Sequence, residues 1–242
     1  MKELVRFWVG SIVNRLARAI DPWLKISYSQ EGEDLLLNRI FEGKEAGFYV
    51  DVGAHHPKRF SNTCFFYESG WRGINIEPNT HAIEVFAKQR KRDINLQVGV
   101  SQQHGELLYY EFNDSALNTF DKALANEREA TTVYKIIGTQ KIPVNRLDTL
   151  LERYLPVGTT IDFLTVDVEG LDLEVLKSND WIKYRPHCVL AEALGFAMMT
   201  ELSEEAPIIT FMRDQGYRLF AKTYNSLCFL ENETKEAGLA KA

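Results

Sequence analysis

Five carboxylates in this 242-residue chain sit in or directly after short apolar runs. Asp51 lies in the run from Phe48 to Val52, and Glu77 follows Gly73-Ile74-Asn75-Ile76. Asp167 and Glu169 follow residues 161–166, and Glu192 follows residues 187–191. Apolar runs of this length bounded by turn residues read as buried strands. In open α/β sheets, ligands bind outside the carboxyl ends of such strands. The five acids are therefore predicted to converge on one cleft. Beside Asp51, Gly53 and Ala54 allow the backbone close to a ligand. Glu77, with Pro78 and Asn79, stands at the tip of the second strand, where an acid can accept two hydrogen bonds from a ribose diol.

The turn after the first strand limits the ligand. A dinucleotide loop needs GxGxxG so that a pyrophosphate can rest on a helix N-terminus. Here Gly53 stands alone, followed by Ala54, His55, His56 and Pro57. There is no GxxxxGK[ST] either, which argues against a nucleoside triphosphate and, with the missing pyrophosphate loop, against a nicotinamide dehydrogenase. An adenosine ligand without phosphates fits better, and S-adenosylmethionine is the candidate. Its sulfonium and ammonium are cationic, and a carboxylate such as Asp51 would attract them. The alternative is a plain strand-turn-helix that binds no cofactor.

These acids need elements to hold them. Residues 28–41 read as a helix with Ser29 as N-cap, and 48–51 as the first strand. Next come a helix over 59–69 stopped by Gly70, a strand over 73–76 and a helix over 80–90. Strands over 94–100 and 107–112 follow. Residues 113–138 break the rhythm, with a charged helical stretch at 122–129; they read as a substrate-contacting insertion or a surface loop. A strand over 141–144 and a helix over 146–155 lead to the strand over 161–166. The rest reads as a helix over 171–177, a strand over 187–191, a helix over 204–215 and a hairpin of 217–223 with 226–230. Alternating β and α elements closed by a hairpin predict an α/β, Rossmann-like doubly wound sheet. It should be mostly parallel with one antiparallel edge strand.

Composition narrows the partners. The net charge of -6 argues against a general nucleic-acid binder. Cys64, Cys188 and Cys228 are widely spaced, without a CxxC pair. They read as free buried thiols in a reducing cytoplasm, not as a disulfide framework or zinc site. No apolar run approaches a membrane span of about 18 residues. Residues 1–25 form a separate unit: Val5, Trp8, Val9, Ile12, Val13, Leu16 and Ile20 share one helical face, with Lys2, Arg6, Arg15 and Arg18 largely off it. This amphipathic basic helix suits contact with a membrane surface, at the periphery of the inner membrane, or with a partner. It equally suits packing on the domain itself or on a second subunit in a homo-oligomer. The domain proper spans 26–232, and 233–242 is a polar tail.

Four segments together resemble the FkbM family of S-adenosylmethionine-dependent methyltransferases. They are SQEGED (29–34), FYVDVGAHHPKRFSNT (48–63), GWRGINIEPN (70–79) and DFLTVDVEGLDLEVL (162–176). The resemblance covers about residues 27–231; His55 stands where many members have asparagine. It implies a class I methyltransferase that moves a methyl group from S-adenosylmethionine, usually to a hydroxyl oxygen of a sugar, polyketide or other secondary metabolite. A saccharide or small-molecule acceptor is expected, with a bacterial glycan first.

Methyl transfer requires alignment of donor and acceptor and removal of the hydroxyl proton. Glu77 is assigned to the ribose, flanked by Pro78 and Asn79. Gly53, Ala54 and His55 are placed beside the methionine portion, covered by Gln30 and Glu31. Val98, Gly99, Val100 and Ser101 are placed on the adenine side. Asp167 is the first candidate for catalysis, either as base or as holder of the cofactor's amino group. Glu169, Glu192 and His56 come next; either histidine also reads as a simple turn residue. Asp167 and Glu192, with waters, would suit a magnesium ion that acidifies the hydroxyl. Ser115, Asn118 and Thr119 are candidates for acceptor contact. The competing readings are an N-methyltransferase and a catalytically silent cofactor-binding or membrane-docking partner of a biosynthetic complex.

Overall fold

The computed structural model of the chain describes residues 19–21, 23–194 and 206–232. Its strands are β1 (Phe48–Val52), β2 (Arg72–Ile76), β3 (Ile94–Leu96), β4 (Gly99–Val100), β5 (Gly105–Phe112), β6 (Ile136–Asn145), β7 (Phe163–Val166), β8 (Cys188–Glu192), β9 (Tyr217–Lys222) and β10 (Ser226–Glu231). Seven of them form one sheet in the order β3-β2-β1-β7-β8-β10-β9. The other three form a small sheet in the order β4-β6-β5.

The main sheet is apolar on both faces because its strands alternate into two cores. Val50, Val52, Ile74, Ile76, Leu164 and Val166 point to one side. Tyr49, Phe163, Cys188, Leu190 and Cys228 point to the other. Such strands need helices on both faces. Helices α1 (Glu33–Ile40) and α2 (Cys64–Glu68) cover the second core through Leu37, Phe66 and Tyr67. Next along the chain are α3 (Thr80–Gln89) and α4 (Lys122–Thr131). Helices α5 (Leu147–Tyr154), α6 (Asp172–Lys177) and α7 (Pro207–Asp214) cover the first core through Leu147, Leu151, Val175, Leu176, Ile208 and Met212.

Strands β1, β2, β3, β7 and β8 run parallel. The antiparallel edge part expected from the hairpin is present: β10 runs against both β8 and β9. The chain leaves β1 toward β3, then returns to lay β7 on the other side of β1. That reversal makes the carboxyl ends of β1 and β7 a topological switch point, where doubly wound sheets open a crevice.

Several boundaries differ from the sequence expectation. The strand expected over 94–100 is two strands in two sheets, because β4 pairs with β6 (Gly99 opposite Val144). The helix expected from residue 28 starts at Glu33, after Gly32 at φ 89°. A helix does not contain that left-handed backbone. Gly32, not Ser29, holds the N-cap position; the Ser29 hydroxyl still accepts the first-turn N–H of Asp34 at 3.3 Å and donates to the Asp34 carboxylate at 3.0 Å. Of the helix expected over 59–69, only α2 forms. Segment 113–138 is more ordered than expected, holding a short 3-10 turn (Ser115–Leu117), α4 and the start of β6, which outruns the strand expected over 141–144.

Residues 1–18 and 233–242, which carry most of the expected basic helix and the whole tail, lie outside the described residues, as do 204–205 at the start of the helix expected over 204–215. Among the described residues, no helix is long and apolar enough to cross a membrane. Cys64, Cys188 and Cys228 are all buried free thiols.

Candidate active site

The turn after β1 requires Gly53. Its φ is +79°, and a Cβ there would lie 1.8 Å from the backbone oxygen of Asp167. Any side chain would push the first strand end away from the end of β7. Among the described residues, three non-glycine residues also adopt positive φ: His55 (50°), Phe60 (56°) and Glu169 (56°). All three border one cleft. Strained backbone of this kind costs about 1–3 kcal/mol per residue and persists where surrounding structure enforces it, often at functional sites.

The cleft holds about 790 Å³, including space open to solvent. Its floor is the switch point: Val52 at the end of β1 and Gly53 after it, Glu77 and Pro78 after β2, Asp167 and Val168 after β7. Glu77 is buried and joins two turns. Its Oε2 accepts from the His55 N–H and its Oε1 from the Asn79 N–H, both at 2.8 Å. Burial pushes its carboxyl up to about 7, against the lowering effect of those two bonds. An ionised carboxylate offers about four lone-pair sites, so two remain for a ligand diol. His55 also borders the cleft. Burial, then the charge of Arg59, pushes its imidazole down to about 4, so it is neutral at pH 7. Its buried Nε2 has no hydrogen-bond partner.

The inserted segment builds the opposite wall. Val98, Gly99, Val100, Tyr109 and Phe120 line the cleft together, and a Cβ on Gly99 would come within 2.7 Å of the Phe120 ring. Ser115, Asn118 and Thr119 border the cleft as well. Two contacts hold this wall. The Arg59 guanidinium donates to both oxygens of Asp114 at 3.0 and 2.9 Å, and the Thr119 hydroxyl donates to the Glu169 backbone oxygen at 2.8 Å.

Gln30, Phe60 and Asp167 border this cleft and also a second, smaller pocket of about 280 Å³, including space open to solvent. Glu31, Glu33, Asn62, Glu192, Asn225 and Ser226 complete the smaller one. Asp167, Glu169 and Glu192 each bring one carboxylate oxygen within 4.8 Å of the others. Asp167 opens to solvent in the cleft, yet enclosure by the walls, then the charges of Glu169 and Asp172, hold its carboxyl well above the usual range. Glu169 is paired with Arg128.

Five sequence candidates border neither cavity. The Asp51 carboxylate lies beneath the floor, where it accepts from the Thr63 hydroxyl at 2.8 Å; burial pushes it up to about 6. Ala54 packs with Ile83 and Phe86. The Asn79 side chain caps α3, accepting from the Ala82 N–H at 3.0 Å. His56 Nδ1 accepts the N–H groups of Lys58 and Arg59 at 3.0 and 2.9 Å, which makes it a turn former. Ser101 lies past the end of β4, its N–H on the Asn145 oxygen.

The profile of the FkbM methyltransferase domain matches residues 51–219. The chain belongs to the FkbM methyltransferase family. Among solved structures it is similar to the methyltransferase FkbM from Methylobacillus flagellatus KT, with 12% identity over 87% of this chain and 45% of that one, at a TM-score of 0.43. It therefore spans under half the length of that protein. It is also similar to the N-terminal domain of human METTL16 (11% identity, 83% of this chain, 67% of that one, TM-score 0.39). A third is an O-methyltransferase from Bacillus cereus in complex with SAH (12% identity, 91% and 88%, TM-score 0.37). No curated protein matches the chain.

The site of this family member rests on a buried ion network to which no local sequence pattern points. Arg90, just past α3, is fully buried. It donates to the Pro57 carbonyl at 2.9 and 3.1 Å, to the Ser61 hydroxyl at 3.1 Å and to the Tyr49 hydroxyl at 3.0 Å. Its charge lies 3.6 Å from Asp93. Asp93 also accepts from Tyr49, Asn75 and the Gly73 N–H. One guanidinium thus fixes the 57–63 turns, which carry Phe60 and Asn62, onto the sheet. The only signal in sequence was an Arg-x-x-Asp after a helix, which usually marks a solvated pair.

Proposed function

We propose that this chain transfers a methyl group from S-adenosylmethionine to a hydroxyl of a saccharide or secondary-metabolite acceptor. The observation that carries this reading is the position of Asp167, which borders both the larger cleft and the smaller acidic pocket. A donor in the first and an acceptor in the second would meet at its carboxylate.

The residues suit the donor. Glu77 has acceptor capacity left for a ribose diol, Gly53 gives close backbone approach, and Val98, Val100, Tyr109 and Phe120 offer apolar surface for a flat base. S-adenosylmethionine supplies an activated methyl group on a sulfonium. The chain's part is alignment and proton removal. Asn62, Asn225 and Ser226 present polar groups to a polyol in the acidic pocket. The carboxylates around Asp167 draw the hydroxyl proton as the new O–C bond forms and the C–S bond breaks.

Isothermal titration with S-adenosylhomocysteine tests the donor site. Micromolar binding is expected, weakened at least about tenfold in Glu77→Ala, because hydrogen bonds to a charged group are worth about 1.5–3 kcal/mol each. Unchanged affinity in that variant would remove the ribose assignment. The same titration has an expected pH profile. Only ionised Glu77 accepts fully from a diol, and its carboxyl lies at about 7. Affinity should therefore fall as pH drops from 8 to 6. Asp51 and Tyr109 are the neighbours whose charge bears on Glu77 or feels it. Glu77→Gln should flatten the profile; a profile of the same slope in that variant would assign it to another group.

A further inference from the structure

Glu192 ends β8 at 9% exposure, and its buried Oε2 meets no hydrogen-bond partner. It borders the acidic pocket beside Asp167, and Asp167, Glu169 and Glu192 present oxygens within 4.8 Å of one another. A buried, unpartnered carboxylate next to two others is costly as it stands. The local charge also has a telling value. The three carboxylates and nearby Asp172, set against the Arg128 paired with Glu169, leave three negative charges when ionised, an excess that a divalent cation would lower.

We infer that Asp167, Glu169 and Glu192 hold a divalent cation of the magnesium or manganese type between the cleft and the acidic pocket. The donor set is all oxygen, which selects a hard cation over zinc or copper. Three atoms at most 4.8 Å apart share a centre about 2.8 Å or less from each, and small side-chain rotations reach bonding distances of about 2.0–2.6 Å. Water and a neutral oxygen of the Asn62 or Asn225 amide, both on the acidic pocket, complete the shell. The use of the ion rests on the methyltransferase reading. It faces the acceptor oxygen and lowers the pKa of that hydroxyl. The acceptor proton then passes, directly or through a neighbouring water, to the free oxygen of the Asp167 carboxylate, the oxygen bonds to the methyl carbon, and the electron pair of the C–S bond leaves with sulfur.

Manganese titration of the full chain, followed by loss of the free-ion electron paramagnetic signal, tests the site. S-adenosylhomocysteine is titrated on the same protein. One manganese per chain with a Kd below about 1 mM is expected. Glu192→Gln, isosteric and uncharged, should weaken it at least about tenfold while its melting temperature and S-adenosylhomocysteine affinity hold. Cofactor product bound without manganese at about 1 mM would overturn the cation site alone, and so would equal manganese affinity in Glu192→Gln. Manganese bound without S-adenosylhomocysteine would keep the cation site and overturn the donor reading.

Discussion

Arg90→Met is expected to lower the free energy of unfolding by about 3–5 kcal/mol, the usual cost of stranding one partner of a buried ion pair. Arg90 is fully buried, and its guanidinium serves three hydroxyls and the Pro57 and Thr63 carbonyls besides Asp93. Methionine fills much of the volume and serves none of them. Asp93 is already held above the usual carboxylate range by burial, with Arg90 pulling it back. Without Arg90 that carboxyl must take a proton or carry an uncompensated charge. Urea unfolding of Arg90→Met, Asp93→Asn and the double variant measures the coupling. A double variant less destabilised than the sum of the singles is expected. Strict additivity would show that the two residues act separately.

Asp167→Asn is expected to cut kcat by about 10²–10⁴, the range for losing a carboxylate that handles a proton in the transition state. Affinity for S-adenosylhomocysteine should stay within a few fold, because the variant keeps the shape of the side chain and leaves Glu77 and Gly53 untouched. The split between the two readouts decides the role of Asp167. If affinity falls in step with rate, Asp167 holds the amino group of the donor and proton removal passes to Glu169 or Glu192.

Most strands could be read in the sequence because parallel strands buried on both faces are nearly continuous apolar runs. The segments that failed were those whose partners lie far along the chain. Residues 94–100 look like one strand, and nothing local shows that Gly99 pairs with Val144. Segment 113–138 looked irregular because half of β6 is exposed and polar, and its partner β5 sets its pairing. The short α2 was overdrawn, since the turns before it are made by His56 and Ser61 side chains accepting backbone N–H groups.

The same division runs through the site. Sequence alone determined the β/α order, the glycine turn after β1, the acid at the tip of β2 and the acids after β7 and β8. Each depends on local spacing and on the absence of a phosphate loop. Only the tertiary structure decided which of those side chains meet. Strand residues alternate between faces, so Asp51 lies on the Tyr49 side of the sheet, while Gly53, one residue past the end of β1, turns into the cleft. Arg90 and Asp93 look like a surface pair until the 57–63 turns close over them. Asp167, Glu169 and Glu192 come within 4.8 Å of one another although up to 25 residues separate them in sequence. Their closeness comes from β7 lying beside β8, a long-range pairing that no local pattern of residues encodes.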